Sequence, residues 1–285
     1  MIHRVPAMCA LLCLLLAAGG CSREHAPKQP DKNMVDKPVV KPVAKAIAKP
    51  IAKSATSAPV EPVAKPKAAA GAKPIVVQVY HDTVCPWCRI GCANLSAALK
   101  DWKGPPVQIV YRPFLLNPNA PAEGQDLRAH LADKYGAARV EKMFKRVTEV
   151  GARSGVTFAF DKVKRAPDSR LSHALIEWVP LARKRAVIDA VQTAYFERGA
   201  DIGNVDVLVE LAESAGIDAA AARAHLEKPG RRHAVGILVG SRPADINGVP
   251  HFIIDGQRRF QGAQPAQRLR QALDEAAARR RSAGS

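Results

Sequence analysis

No cysteine follows Cys92 in this chain of 285 residues, and the six present fall into two groups: Cys9, Cys13 and Cys21, then Cys85, Cys88 and Cys92. That distribution argues against a structural disulfide framework and against a four-cysteine zinc site, both of which spread their cysteines along a fold. Aromatic residues are also scarce, at 5%, although the net charge is +17. A nucleic-acid surface interleaves basic and aromatic side chains in recognisable motifs, and none is found, so no nucleic-acid partner is expected. The excess charge reads as a solvated surface drawn toward an anionic envelope. A glycine-rich phosphate loop is missing, so no nucleotide or flavin is expected. The apolar run near the N-terminus, about residues 7–18, is too short to span a bilayer.

What is present at the N-terminus suits export. Arg4 precedes the apolar run, which ends Leu16-Ala17-Ala18-Gly19-Gly20-Cys21. Residues 1–20 therefore read as a signal peptide. Small residues before a cysteine resemble the bacterial lipoprotein signal, which implies lipidation of Cys21, although Ala18 stands where that signal prefers leucine. Ordinary cleavage after Gly20 is the alternative. Residues 21–73 read as a disordered tether. From residue 22 on, it holds eleven Lys and Arg against four Asp and Glu, with loosely recurring phrases such as Lys41-Pro42-Val43-Ala44-Lys45. Prolines stiffen such a chain, like charges repel, and apolar surface is too sparse for a core. Fully extended it would reach on the order of 160 Å.

The folded part is expected over residues 74–282. Ile75 to Tyr80 is an apolar, β-branched run that reads as a buried strand. It leads through His81-Asp82-Thr83-Val84 to Cys85-Pro86-Trp87-Cys88, and a helical pattern follows from Arg89 to Trp102. A thiolate at a helix N-terminus meets free backbone N–H groups and the positive end of the dipole, which favour it. A cysteine there can attack a disulfide, and a second one three residues on can resolve the mixed disulfide. Residues 107–114 read as a second strand, giving a β-α-β crossover. Helical patterns then dominate: 127–135, 138–151, 173–180, 185–198, 205–215, 219–227 and 231–239. A long, nearly strand-free middle implies a helical insertion. Strand signals return at 250–255, a turn at Gly256 and residues 258–261 complete a hairpin, and a helix is expected over 265–278.

These pieces resemble the DsbA-type thioredoxin fold, and most closely its FrnE-like branch. The resemblance is carried by residues 82–91 around the C-P-W-C motif, by Tyr111-Arg112-Pro113-Phe114-Leu115-Leu116-Asn117-Pro118, and by Lys134-Tyr135-Gly136. It continues through Ser172-His173-Ala174, Ala194-Tyr195-Phe196, Gly248-Val249-Pro250-His251-Phe252 and Gly262-Ala263-Gln264-Pro265, covering about 75–275. The implied architecture is an α/β thioredoxin core over 74–117 and about 232–278, interrupted by a helical insertion over about 118–231. The implied activity is thiol–disulfide exchange on protein substrates without a metal or other cofactor, with a redox partner that recycles the dithiol. Cys85 would be the exposed nucleophile and Cys88 the buried resolving thiol. Pro250 would be a cis-proline facing the dithiol, with Val249 pairing to a substrate chain and Trp87 beside it. The expected place is the periplasm-facing bacterial envelope, at a membrane through the lipid on Cys21.

Some roles stay open at this level. Asp82 could cap the helix or assist proton transfer at Cys88. Cys92, one turn beyond Cys88, could be a bystander or exchange with Cys88; related sequences usually carry a polar residue there. His173 receives no catalytic role. Two other readings compete. Glutathione-dependent isomerases and transferases share the fold but characteristically carry serine at the first active-site position. A copper-binding thioredoxin-like protein would usually space its cysteines C-x-x-x-C. The direction of the redox reaction is not set by the sequence.

The lipidation expectation is directly testable. Cys21→Ser should move the protein from the membrane fraction to the soluble fraction, or block its processing. A mature wild-type chain that is soluble and begins at an unmodified Cys21 would remove the lipid and leave export standing.

Overall fold

The computed structural model describes residues 73–283. The expected signal peptide, the tether and the lipidated Cys21 lie outside the described residues. Strand β1, Ile75–His81, buries Ile75, Val77 and Val79 completely, as a strand covered on its faces should. Helix α1, Pro86–Leu99, crosses to β2, Val107–Pro113, which runs parallel to β1 from the pair Ile75/Val107 to the pair His81/Pro113.

Helix α1 starts and ends three residues earlier than the sequence pattern suggests. Pro86 occupies its first turn, where a fixed φ is already helical and the missing N–H costs nothing. It stops because Lys100 turns extended and Asp101 takes a left-handed φ of 56°.

The helical middle contains α2 (Leu127–Tyr135), α3 (Ala137–Arg153), α4 (Arg170–Trp178), α5 (Leu181–Arg198), α6 (Val205–Ser214), α7 (Ala219–Leu226) and α8 (Arg231–Gly240). Side-chain oxygens of Asp126, Asn204 and Asp218 accept from the first-turn N–H groups of α2, α6 and α7. The middle is not strand-free. Gln125–Asp126 (β3) pairs antiparallel with Arg165–Ala166 (β4), a two-residue ladder too short for any alternation to announce it.

The chain then returns to the sheet. Strand β5, His251–Ile254, pairs antiparallel with β1, and β6, Arg258–Gln261, pairs with β5, giving the order β2-β1-β5-β6. Asp255 and Gly256, with φ of 53° and 72°, make the tight hairpin turn; glycine supplies the second positive φ without strain. Helix α9, Ala266–Ala283, buries Leu269, Ala272, Leu273 and Ala276 against α1, β1 and β5. This is a thioredoxin fold with a DsbA-like helical insertion. No helix among the described residues is long and apolar enough to cross a membrane.

Two contacts fix α1, the helix that carries the cysteines. Arg89 is buried against the insertion: its Nη1 donates to the Gln192 carbonyl of α5 at 2.9 Å, its Nη2 pairs with Glu197, and its guanidinium lies 5.6 Å from the Phe158 ring centre. On the sheet side, Gly91 lets Pro250 and Phe252 approach. A Cβ at Gly91 would stand 2.9 Å from Pro250 Cγ and 3.1 Å from Phe252 Cζ.

Gly91→Ala should therefore cost about 1–3 kcal/mol of stability, the usual penalty for overpacking. Gly236→Ala in α8, where a Cβ meets nothing within 4 Å, should be neutral or stabilising by about 1 kcal/mol. Urea midpoints of the two variants give the comparison, and equal midpoints would contradict the close approach at Gly91.

Candidate active site

The site is built at the end of β1. His81, Asp82 and Thr83 are completely buried, so the chain leaves the strand without reaching solvent. Cys85 is itself the N-cap residue of α1, with φ −90° and ψ 113° and no side-chain capping bond. Its carbonyl accepts from the N–H groups of Cys88 and Arg89 at 3.1 and 3.3 Å and closes the first turn.

The capping role considered for Asp82 is thus corrected. Its carboxylate instead bridges three elements: Oδ2 accepts from the Leu116 N–H at 2.8 Å, and Oδ1 accepts from the Val84 N–H at 3.4 Å and lies 3.4 Å from His173 Nε2. Cys85 also departs from the expected exposure. The residue is 3% exposed, and its Sγ lies 3.9 Å from the Val249 carbonyl oxygen. It faces a cleft rather than open solvent.

Cys88, one turn deeper, is fully buried. Burial pushes its thiol well above the ordinary range; the hydrogen bond and charge of neighbouring Cys85 push the same way, and the Asp82 backbone opposes them. Cys92 is 1% exposed among apolar core side chains, and burial pushes its thiol up to about 11 against a partial offset from Arg185. Arg185 Nη1 donates to the Cys92 carbonyl at 3.0 Å. All three thiols are free.

The Val249–Pro250 peptide bond is cis, Pro250 is buried over Gly91, and half-buried Trp87 and Val249 stand in the wall around Cys85. The structure thereby brings Cys85, Cys88, Trp87, Val249 and Pro250 together, with Asp82 beneath them and Cys92 further along α1.

A polar cluster under the turn was not given a role by the sequence. His173 of α4 reaches Asp82, and its ring stands edge-on to His81 with centroids 5.1 Å apart. His81 also meets Tyr111 edge-on at 5.5 Å, and both of its ring nitrogens are buried without a hydrogen-bond partner. Thr83 Oγ1 and Ser172 Oγ, 2.8 Å apart, join the same turn to α4. The signal that could have found this cluster was the Ser172-His173 pair, lying some ninety residues from Asp82 in the chain. Among the described residues, no group of three or more His, Cys, Asp or Glu is placed to hold a metal ion.

The cleft at Cys85 has a volume of about 400 Å³ and runs between α1 and the insertion. Leu127, Leu131, Phe144, Val147, Phe160 and Phe196 give it an apolar lining. Tyr195 also lines it and donates from its hydroxyl to the Arg165 carbonyl at 3.0 Å, which fixes the β3–β4 ladder as part of the wall.

Residues 76–274 match the family of the DSBA-like thioredoxin domain. The chain belongs to that family. The uncharacterized protein YwbO of Bacillus subtilis (strain 168) is 27% identical over 187 residues, 62% of this chain and 86% of YwbO. The crystal structure of the probable DsbA oxidoreductase SCO1869 from Streptomyces coelicolor is similar at a TM-score of 0.62 and 28% identity, over 71% of this chain and 89% of that one. A 2-hydroxychromene-2-carboxylate isomerase is similar at a TM-score of 0.54 but only 15% identity, over 74% of this chain and 99% of that one. That last likeness is one of fold. The dithiol at the head of α1 thus lies on a DsbA-family, thiol–disulfide oxidoreductase-like fold.

Buried His81 sets a pH dependence. Burial, then the charges of His173, Lys184 and Arg185, hold its imidazole well below the usual histidine range, so it is neutral in the fold. In the unfolded chain it takes up a proton near pH 6.5. The unfolded state therefore binds more protons as pH falls below that value, and stability is lost toward acid at up to about 1.4 kcal/mol per pH unit for this one group. Urea midpoints between pH 7.5 and 5 should show the decline, and His81→Phe should flatten it. An unchanged slope in that variant would assign the decline to other groups, His225 and His251 first, whose imidazoles are also held low by burial.

Proposed function

We propose that this protein is an exported thiol–disulfide oxidoreductase acting on protein substrates through Cys85 and Cys88. The observation that carries the reading is the unequal placement of the two thiols at one helix start. Cys85 caps α1 and lines the cleft, while Cys88 is sealed beneath it. The DSBA-like family and the likeness to a probable DsbA oxidoreductase support the same chemistry.

In the reducing direction, the Cys85 thiolate attacks one sulfur of a substrate disulfide. A Cys85–substrate S–S bond forms, the substrate S–S bond breaks, and the released thiolate takes a proton. Cys88 then gives up its proton and attacks Cys85 Sγ, expelling the second substrate sulfur as a thiol. Two electrons and two protons pass to the substrate, and the enzyme keeps a Cys85–Cys88 disulfide. The oxidising direction is the same sequence reversed. No cofactor is required.

Val249 and Pro250 serve as the docking edge for the substrate chain, because the Val249 carbonyl already faces the Cys85 sulfur. Trp87 forms the neighbouring wall. Asp82 acts by holding the turn, and Cys92 is a bystander thiol packed in the core. A redox partner recycles the pair. We place the domain in the bacterial envelope, facing the periplasm and anchored through lipid on Cys21.

Three variants test this. Cys85→Ser should abolish exchange with a disulfide-bonded protein. Cys88→Ser should trap a covalent adduct, visible on a non-reducing gel, because attack survives and resolution does not. Cys92→Ser should retain most of the wild-type turnover. Activity persisting in Cys85→Ser would end the assignment of the nucleophile, and a resistant adduct-free Cys88→Ser would end that of the resolving thiol. The reduction potential of the pair, measured against a glutathione buffer, fixes the working direction.

A further inference from the structure

The cleft beside Cys85 has a chemical character that thiol exchange alone does not require. Its lining includes no carboxylate. Its charged residues are Lys134 near the end of α2 and Arg146 on α3, with His130 one turn before Lys134 on α2. Lys134 and Arg146 are exposed at the mouth, and neither forms an ion pair among the described residues. Lys134 lies instead over its neighbouring Tyr135 ring, 5.3 Å from the centroid. Elsewhere on the same two helices, Arg128 does take a carboxylate partner, Glu141. The rest of the lining is largely apolar, the volume of about 400 Å³ is enough for one large side chain, and the rings of Phe144 and Phe160 stack in it, 4.3 Å apart.

An apolar pocket whose lining holds a reactive sulfur and two exposed, unpaired cations discriminates by two independent terms. Burying a large side chain contributes through the area removed from water. A carboxylate at the mouth gains Coulomb energy and a faster encounter, whereas an ammonium there loses both.

We infer that the cleft selects protein substrates in which the reacting cysteine is flanked by a bulky apolar residue and, just beyond it, an acidic residue. Lys134 and Arg146 are the charge-reading residues of this subsite. This inference rests on the exchange activity proposed above and names the substrate class of that same site.

The test uses the full chain with its dithiol reduced, and short single-cysteine peptides carried as mixed disulfides with 5-thio-2-nitrobenzoate. Attack of the Cys85 thiolate on the peptide sulfur forms the Cys85–peptide disulfide, breaks the reporter S–S bond and releases the coloured thiolate. One event is therefore counted per peptide captured. Four peptides combine Phe or Gly beside the cysteine with Glu or Lys two positions further on.

The Phe/Glu peptide should react at least about fivefold faster than Phe/Lys and than Gly/Glu at subsaturating concentration, a modest electrostatic and apolar preference. Raising the salt from about 0.05 M to about 0.5 M should shrink the Glu-over-Lys ratio toward one and leave the Phe-over-Gly ratio in place. The double variant Lys134→Glu, Arg146→Glu should invert the Glu-over-Lys ratio. That ratio is internal to one preparation, so partial loss of folded protein does not alter it.

Wild-type ratios within twofold of one, or a Glu-over-Lys ratio unchanged in the double variant, would overturn the inference. Hydroxyethyl disulfide, small and neutral, separates the two levels. A wild type that reduces it yet does not sort the peptides overturns the subsite alone. A wild type inert toward it and toward every peptide overturns the exchange reading together with the subsite.

Discussion

The arrangement depends on one buried carboxylate. Asp82 sits at 0% exposure where β1 ends, and its two oxygens tie that end to the segment after β2, through the Leu116 N–H, and to α4, near His173. A carboxylate in such a place is costly unless its lone pairs are met. Here they are met by groups from three parts of the chain, so the direction in which the backbone leaves β1 is set by the whole domain. The N-cap of α1 inherits that direction, and the N-cap is where Cys85 stands. The position of the sulfur is therefore a consequence of core packing rather than of loop geometry, which suits a group that must meet an incoming sulfur in line.

The same geometry separates the two thiols chemically. A helix start offers its free N–H groups to whatever sits at the cap, and that benefit fades within a turn. Cys88 is beyond it and enclosed. Burial there penalises the thiolate, and the hydrogen bond and charge of neighbouring Cys85 push the same way. Burial holds the inner sulfur as a thiol. Order of attack thus follows from depth, without any additional charged residue beside the pair. Cys92 continues the trend: deeper among apolar side chains, its sulfur is held as a thiol by burial.

Much of this was legible in the sequence, and the reason differs from element to element. The strand Ile75–His81 announces itself by continuous β-branched residues, and the helices of the insertion by their period, so the fold class follows from pattern together with the motif order. The C-x-x-C spacing at a strand-to-helix junction places the chemistry. What escaped was set by contacts distant in sequence. The resemblance implied an exposed Cys85, but Val249, 164 residues on, stands against its sulfur. Asp82, just before the dithiol, was open to a capping role or to proton transfer at Cys88, but its oxygens meet Leu116 and His173. The β3–β4 ladder has two residues per strand, so no local signal distinguishes it from loop. The branch-specific motifs pointed to His173 and Tyr195 as members of the pattern, and only the three-dimensional arrangement gives them neighbours.

The insertion acts on the dithiol through α1 rather than across open space. Arg89 immediately follows Cys88 and sends its guanidinium into α5, onto the Gln192 carbonyl, toward Glu197 and over Phe158. A cation at 8% exposure is stable only while those acceptors are in place, so α1 cannot slide or roll against α5 without stranding a charge. Phe196 and Tyr195, which line the cleft, belong to α5 as well. Cys85 and the part of the cleft lining that α5 supplies are consequently joined through Arg89. Lys134 and Arg146 ride on α2 and α3, which reach that unit through Phe144 stacked on Phe160. Cys85 is thus tied to the α1–α5 pair, while the cations of the cleft are carried by α2 and α3.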